Sequence, residues 1–156
     1  MKAEFAFSEL SPAFASGATA SSLAVSGSTS PTAGILGWVD SCTHLAIEAE
    51  IQQDTGGTLD VYIQSRINGT WCDLVHYPQI PIGSGTSKYY VAMSGSSYSP
   101  TPIQVGTGLT PALPANTVVP GPWGDVLRLV MVPGATTVGG STVVVRVVGQ
   151  APNRLA

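Results

Sequence analysis

Strict alternation of apolar and polar residues marks the middle of the chain. In residues 44–53 (HLAIEAEIQQ) the apolar face carries Leu45, Ile47, Ala49 and Ile51. A period of two is typical of a half-buried β-strand. Residues 58–66 (TLDVYIQSR) repeat the pattern. The inward-facing set predicted there is Leu59, Val61 and Ile63, and the outward-facing set is Asp60, Tyr62, Gln64 and Arg66.

Turn-forming residues predict how these strands connect. Residues 54–57 (DTGG) tolerate positive φ angles, which favours a hairpin between the two strands above. The dipeptide Asn68-Gly69 is the strongest short hairpin signal, and it leads into residues 71–77 (WCDLVHY). The pattern therefore predicts a three-stranded meander, which Pro78 and Pro81 end.

Further strands are predicted on both sides of this meander, at residues 2–7, 35–39, 87–93, 117–119, 125–132 and 142–148. The last two of these strands flank residues 133–140 and are predicted to form a hairpin. Arg128 and Arg146 interrupt their apolar pattern, which predicts a more solvent-exposed face or a sheet edge at these positions. Gly and Pro are too frequent for long helices. The fold class predicted is all-β, a two-sheet antiparallel sandwich. About eight to ten strands favour a jelly roll over an immunoglobulin-like sandwich.

Two stretches are poor in large apolar residues. Residues 8–32 form a Ser/Ala/Thr/Gly tract, which predicts either a flexible arm or a long loop laid over the sandwich. Residues 94–114 predict a long loop, a feature that is often functional. The organisation expected is an N-terminal strand with an arm or loop at 1–33, a sandwich domain at 34–150 and a tail at 151–156.

Composition and charge limit the classes of protein to which the chain can belong. The chain has 156 residues, of which only 10% are charged, and a net charge of −3. A surface with so few charges does little to prevent association with other proteins, which favours a particle-bound or extracellular protein. Six scattered basic residues exclude a phosphate-binding stripe, and no apolar run is long enough for a membrane helix. Lys2 is soon followed by Glu4 and Glu9, so no signal peptide is expected and the protein is expected to stay in the cytosol.

Candidate catalytic chemistry is sparse. Glu48 and Glu50 share the outer face of one strand, and Asp60 lies on its predicted partner, so the three superficially resemble a glycosidase carboxylate pair. A solvated strand face is the favoured interpretation. No nucleophile elbow and no phosphate-binding loop occur. We therefore expect a protein that is not an enzyme and that binds no cofactor.

The two cysteines allow three interpretations. Cys42-x-His44 and Cys72-x3-His76 supply thiols and imidazoles suited to zinc, but without the usual C-x2-C spacing. A Cys42–Cys72 disulfide is the second possibility. Two reduced cysteines are favoured in a cytosolic chain, and no metal is expected. The sequon that begins at Asn68 is interpreted as a turn rather than as a glycosylation site.

Aromatic residues have two possible uses. Trp71 and Trp123 begin predicted strands, where a large ring can close one end of a sandwich. The alternative is a carbohydrate platform to which tyrosines would contribute, namely Tyr62, Tyr89, Tyr90 and Tyr98. A carbohydrate site would need a cluster of exposed aromatic residues beside Asp, Asn or Arg.

Residues 59–80 (LDVYIQSRINGTWCDLVHYPQI) resemble a pattern found in small virion proteins of tailed bacteriophages, and residues 121–132 (GPWGDVLRLVMV) resemble its companion strand. The resemblance implies a capsid decoration (cement) protein, or a head–tail or tail component, assembled in the host cytoplasm. It further implies the major capsid protein as partner and a homo-oligomer, with a trimer as the leading expectation. The capsid-contact candidates are the large apolar residues that flank the small-residue tract: Phe5, Phe7 and Leu10.

Overall fold

The computed structural model describes residues 4–6, 21–25, 32–40, 42–53, 58–79, 85–97, 102–133 and 141–150. The described residues form ten β-strands and no helix. In chain order the strands are β1 (Glu4–Ala6), β2 (Ser21–Val25), β3 (Thr32–Trp38), β4 (His44–Gln53), β5 (Leu59–Ile67), β6 (Thr70–His76), β7 (Gly85–Ser94), β8 (Thr117–Val118), β9 (Val126–Pro133) and β10 (Ser141–Gln150).

Two antiparallel sheets divide the strands equally. The first sheet has the order β1-β10-β4-β7, and β2 also pairs with β10. Because β4 occupies one side of β10, β2 and β1 lie one after the other along its opposite side. The second sheet has the order β3-β9-β5-β6-β8. The predicted all-β, two-sheet antiparallel sandwich is confirmed.

The connections differ from those predicted. Among the described strands, β5 and β6 are the only neighbours in sequence that pair with each other. The predicted hairpins β4–β5 and β9–β10 are wrong, because in each case the two strands belong to opposite sheets. A strand with one apolar face fits either sheet, so alternation does not distinguish a hairpin from a crossover.

The main core lies between the sheets. Strand β4 buries its predicted apolar face completely, and β5 buries Leu59, Val61 and Ile63 against it. Strand β10 adds Val143, Val145 and Val147. Each large aliphatic side chain buried in this way stabilises the fold by about 1.5–3 kcal/mol relative to an exposed one. The inward sets predicted from alternation are confirmed.

The β5–β6 turn is the predicted Asn-Gly hairpin. Asn68 has a φ of 49° and Gly69 a φ of 80°, so both central residues occupy the left-handed region. Such a turn matches the right-handed twist of the flanking strands, and Asn and Gly tolerate its backbone best. This turn fixes the register in which Arg66 faces Trp71.

The N-terminal part contributes two short strands to the first sheet. Within the small-residue tract, Ser21–Val25 pairs with β10, so this segment is neither an arm nor a loop. Glu4–Ala6 pairs with the end of β10, which places the backbone of Phe5 opposite Gly149. Phe7 and Leu10 lie outside the described residues.

Candidate functional site

Part of the outer face of the second sheet is covered by residues 102–116, the loop that leads into β8. Tyr62 and Val130 are buried there beneath Leu113, with Ile103 and Val105 packed at the margin. Tyr62 and Gln64 lie on the outer face of β5, as predicted, but both side chains are buried, so the solvent exposure expected of that face is wrong for them. Alternation identified the correct face of β5, but it gave no sign that a distant loop covers that face.

Asp73 fastens this loop to the sheet. Its carboxylate is 3% exposed. One oxygen, Oδ2, accepts hydrogen bonds from the backbone N–H groups of Gly106, Ala112 and Leu113 at 2.7, 2.8 and 2.9 Å. The other oxygen accepts one from Gln64 Nε2 at 2.8 Å. A buried carboxylate with four donors holds the loop more strongly than neutral acceptors would. Sequence analysis did not single out Asp73.

His76 is a second attachment point for the loop. Its Nδ1 lies 2.6 Å from the carbonyl oxygen of Leu113, and its Nε2 lies 3.2 Å from Asp60 Oδ1. The ring stacks on Tyr62 with centroids 3.9 Å apart. Burial, together with the negative charges of Asp60 and Asp73, raises the pKa of Tyr62 to about 12. Both ring nitrogens of His76 therefore have partners, one in the loop and one on β5.

Beside the loop, two tryptophans and two arginines form a continuous stack, which we call the ladder: Trp38, Arg66, Trp71 and Arg128. The Arg66 guanidinium lies 5.2 Å from the ring centroid of Trp38 and 5.8 Å from that of Trp71. Arg128 lies 4.4 Å from Trp71. These separations are within the range of cation–π attraction.

Hydrogen bonds fix both arginines of the ladder. Arg66 donates from Nε and Nη2 to the two carboxylate oxygens of Asp125, at 3.0 and 2.7 Å. This pairing lowers the pKa of Asp125 and raises that of Arg66. Arg128 donates to Gln64 Oε1 from Nε and Nη2, and to the carbonyl oxygen of Gly108 at 2.6 Å. Desolvation lowers the pKa of Arg128, and Asp73 partly opposes that shift.

The ladder carries exposed apolar side chains at its border. Ile35, next to Arg128 in the sheet, is 54% exposed, and Trp38 is 47% exposed. Leu109 follows Gly108 in the loop and is also 47% exposed. We call the ladder together with Ile35 and Leu109 the ladder face. Asp125 neutralises Arg66, whereas the hydrogen-bond acceptors of Arg128 are uncharged, so this face combines apolar area with the positive charge of Arg128.

The other tryptophan closes one end of the sandwich. Trp123 packs against the main core, and its Nε1 donates to the carbonyl oxygen of Val39 at 3.2 Å. The sequence predicts that Trp123 begins a strand, but β9 begins at Val126, so the ring lies just before the strand. Trp71 instead lies in the ladder, on the outer face of the second sheet.

The carboxylate pair that Glu48, Glu50 and Asp60 superficially resemble in the sequence is not formed. Glu48 pairs with Arg146 at 2.6 Å, and Glu50 pairs with Lys88 at 3.1 Å on the open face of the first sheet. Asp60 belongs to the other sheet, where it faces His76. The predicted proximity of Asp60 to the two glutamates is wrong, because it depended on the β4–β5 hairpin.

The two cysteines lie in different environments. Cys42 is part of the main core, whereas Cys72 is half-buried on β6, and no disulfide links them. Among the described residues, no group of three or more His, Cys, Asp or Glu side chains is arranged to hold a metal ion. In the same part of the chain, no helix is long and apolar enough to cross a membrane.

The tyrosines do not form a platform. Tyr62 is buried, Tyr89 is half-buried toward the main core and Tyr98 lies outside the described residues. Tyr90 is 69% exposed and borders a groove of about 600 Å³, which Ala92 and Val148 of the first sheet and Val118 of the second sheet also line. The exposed aromatic ring that stands beside Arg and Asp is that of Trp38.

No protein-family model matches the chain, and no curated protein matches it. Among solved structures, the chain is similar to an exo-β-agarase, with 18% identity and a TM-score of 0.47 over 85% of this chain and 20% of that chain. It is also similar to a structure of infectious bursal disease virus, Gx strain, with 11% identity and a TM-score of 0.36 over 98% of this chain and 32% of that chain. The Gt strain gives 12% identity, a TM-score of 0.35, and coverage of 98% and 38%. The chain thus spans between 20% and 38% of the length of these proteins.

Proposed function

We propose that the protein is a non-catalytic structural component of a virion, a capsid decoration protein that binds the major capsid protein through the ladder face. The observation that carries this proposal is the exposure of Ile35, Trp38 and Leu109 around a fixed stack in which Asp125 neutralises Arg66. Exposed apolar groups that cluster on a rigid surface are typical of protein interfaces.

The chemistry of the ladder supports a protein partner. Trp and Arg are the residues that most often dominate binding energy at interfaces, and charged residues are depleted at interface centres. Arg66 and Arg128 are already held by Asp125, Gln64 and Gly108. Binding therefore costs little side-chain entropy on this face, because the side chains are ordered beforehand.

The N-terminal candidates stay part of the proposal as a second contact. The backbone of Phe5 belongs to the first sheet, so Phe5 would reach a partner from the sandwich itself rather than from an arm. Phe7 and Leu10 remain predicted contacts.

Co-sedimentation tests the proposal. Capsid shells assembled from the major capsid protein encoded in the same genome are mixed with the purified protein and separated on a density gradient. The parent should travel with the shells, and Trp38→Ala should reduce the bound fraction at least tenfold. Loss of a central interface tryptophan commonly costs 2 kcal/mol or more, roughly a thirtyfold change in affinity.

A matched pair of variants provides the control. Ile35→Thr lies on the ladder face and Val148→Thr on the open face of the first sheet, and both replace an exposed β-branched residue in a strand. Binding should fall with Ile35→Thr and stay unchanged with Val148→Thr, while both variants melt like the parent. Equal binding by Trp38→Ala and the parent would rule out the ladder face as the contact.

A second candidate function is carbohydrate binding. Trp38 offers an exposed ring beside Arg66 and Asp125, and half-buried Trp71 lies on the other side of Arg66, which gives part of the aromatic cluster that such a site needs. Titration with neutral oligosaccharides, followed by tryptophan fluorescence, would then give a saturable change that Trp38→Ala abolishes. A flat titration together with binding to shells favours the protein partner.

A further inference from the structure

Strand β7 forms a free edge of the first sheet. It pairs with β4 over ten consecutive residue pairs without a register shift, and no described strand lies on its other side. An unpaired edge presents a row of N–H and C=O groups that can pair with another strand.

The other sheet edges carry features that limit strand addition. Strand β3 has a register shift between Ile35 and Gly37, and β8 has only two residues. The edge beside β10 is divided between β1 and β2, of three and five residues. Short strands and bulges are the usual protection of edges. Among the described edges, β7 alone is long and regular.

The backbone groups that face outward on β7 can be identified. Gly95 N–H donates to the carbonyl oxygen of Thr43 at 2.8 Å, so this pair is of the hydrogen-bonded type. Hydrogen-bonded pairs alternate along an antiparallel ladder. The odd-numbered residues of β7 therefore bond to β4, and the even-numbered residues direct N–H and C=O to the free edge. These residues are Thr86, Lys88, Tyr90 and Ala92; Ser94 has the same orientation, but its carbonyl oxygen accepts a hydrogen bond from Ser97 N–H at 3.2 Å.

We propose that two copies of the chain associate through β7, paired antiparallel about a two-fold axis at Tyr90. In this register Tyr90 faces its own copy, Lys88 faces Ala92 of the other copy and Thr86 faces Ser94. Tyr90 would exchange both backbone hydrogen bonds with its copy, and so would Lys88 with Ala92, whereas the carbonyl oxygen of Ser94 is already bonded to Ser97 N–H. The inference does not depend on the ladder face.

Side chains support a second copy as the occupant. Lys88, the one charged residue of β7, meets an alanine, so no like charges oppose each other across the axis. On the inner side, half-buried Tyr89 would face Val91 of the other copy. On the outer side the two Tyr90 rings, each 69% exposed, would lie side by side. Aromatic cross-strand pairs of this kind stabilise antiparallel sheets.

Sedimentation equilibrium tests the pairing. The parent should show a reversible dimer of about 32 kDa, twice the 16.0 kDa chain. Ala92→Lys places a lysine opposite Lys88 twice in the dimer, whereas Ala92→Glu places a glutamate there. We expect the dissociation constant of Ala92→Lys to exceed that of Ala92→Glu about tenfold or more, because two symmetric pairs change from repulsion to attraction.

A charge reversal makes the test specific to the register. The double variant Lys88→Glu with Ala92→Lys should dimerise more tightly than Ala92→Lys alone, since opposite charges then meet at both positions. Melting curves at dilutions where only monomer is present establish that each variant folds. A monomer at all concentrations, a trimer, or a dimer indifferent to these charges would overturn the proposal.

Discussion

Replacing Asp73 by Asn tests the attachment of the loop to the second sheet. The substitution keeps the size of the side chain and removes its charge. An asparagine carbonyl oxygen can take the place of Oδ2 before the N–H groups of Gly106, Ala112 and Leu113, but as a neutral acceptor. Its amide nitrogen then faces Gln64 Nε2, which loses its acceptor.

The magnitude follows from these four hydrogen bonds. Bonds to a charged group contribute about 1.5–3 kcal/mol, against about 1 kcal/mol for neutral pairs. Three weakened bonds and one lost bond sum to at least about 3 kcal/mol, and the smaller desolvation cost of a neutral amide offsets part of this. We expect Asp73→Asn to lower the free energy of unfolding by about 2–3 kcal/mol. That is a large share of the roughly 5–15 kcal/mol typical of a domain.

Two measurements check the expectation. Denaturant unfolding gives the free energy, and amide hydrogen exchange reports whether Gly106, Ala112 and Leu113 lose protection. The control is Asp40→Asn at an exposed position, which should change stability by less than about 0.5 kcal/mol. If Asp73→Asn resembles this control and the three amides stay protected, Asp73 does not hold the loop.

Three further changes probe other parts of the fold. Tyr77 is buried and its hydroxyl has no hydrogen-bond partner among the described residues, so Tyr77→Phe should raise the free energy of unfolding by about 1 kcal/mol in denaturant titrations. At Gly124 a Cβ would overlap the carbonyl oxygen of Arg66, so Gly124→Ala should lower the melting temperature, by several degrees for a loss of about 1–3 kcal/mol. Arg66 lowers the pKa of Asp125, so this pair stabilises the fold above the ordinary carboxylate pKa, and that contribution is lost as pH falls through the lowered value. Between about pH 5 and 2 the parent should therefore lose more stability than Asp125→Asn, and equal slopes would contradict this reasoning.

Local patterns predicted the strands and the inner core better than the covering of the outer face. The core between the sheets requires apolar residues at every second position of β4 and β5, and the tight turn requires residues that tolerate positive φ, such as Asn68 and Gly69. Both requirements act on neighbouring residues, so short windows of sequence reveal them. The burial of Tyr62 depends instead on residues more than forty positions away. A prediction from period-two alternation treats such a position as exposed, even when a distant loop covers it.

The candidate site was missed for the same reason. Asp73 lies in a short strand that reads as WCDLVHY, and nothing in that window distinguishes a buried carboxylate from a solvated one. The ladder unites Trp38 of β3, Arg66 of β5 and Arg128 of β9, three strands whose order in the sheet the sequence did not predict. A signal was present in the pairing of aromatic and arginine residues within residues 66–71 (RINGTW), where the turn brings Arg66 opposite Trp71.

The two proposed surfaces lie on different sheets, and this separation has a consequence for binding. The ladder face belongs to the second sheet and β7 to the first, so pairing through β7 leaves both ladder faces of a dimer open. On a lattice of repeated capsid subunits, one ladder face of the dimer binds first and holds the other ladder face close to a neighbouring subunit. This high local concentration can raise the overall affinity of the dimer by about 10²–10⁴ without any new contact. A variant that dissociates the dimer, such as Ala92→Lys, should then weaken binding to shells while leaving the affinity for an isolated capsid subunit unchanged. If both affinities fall equally, β7 contributes directly to the contact and the two surfaces are not independent.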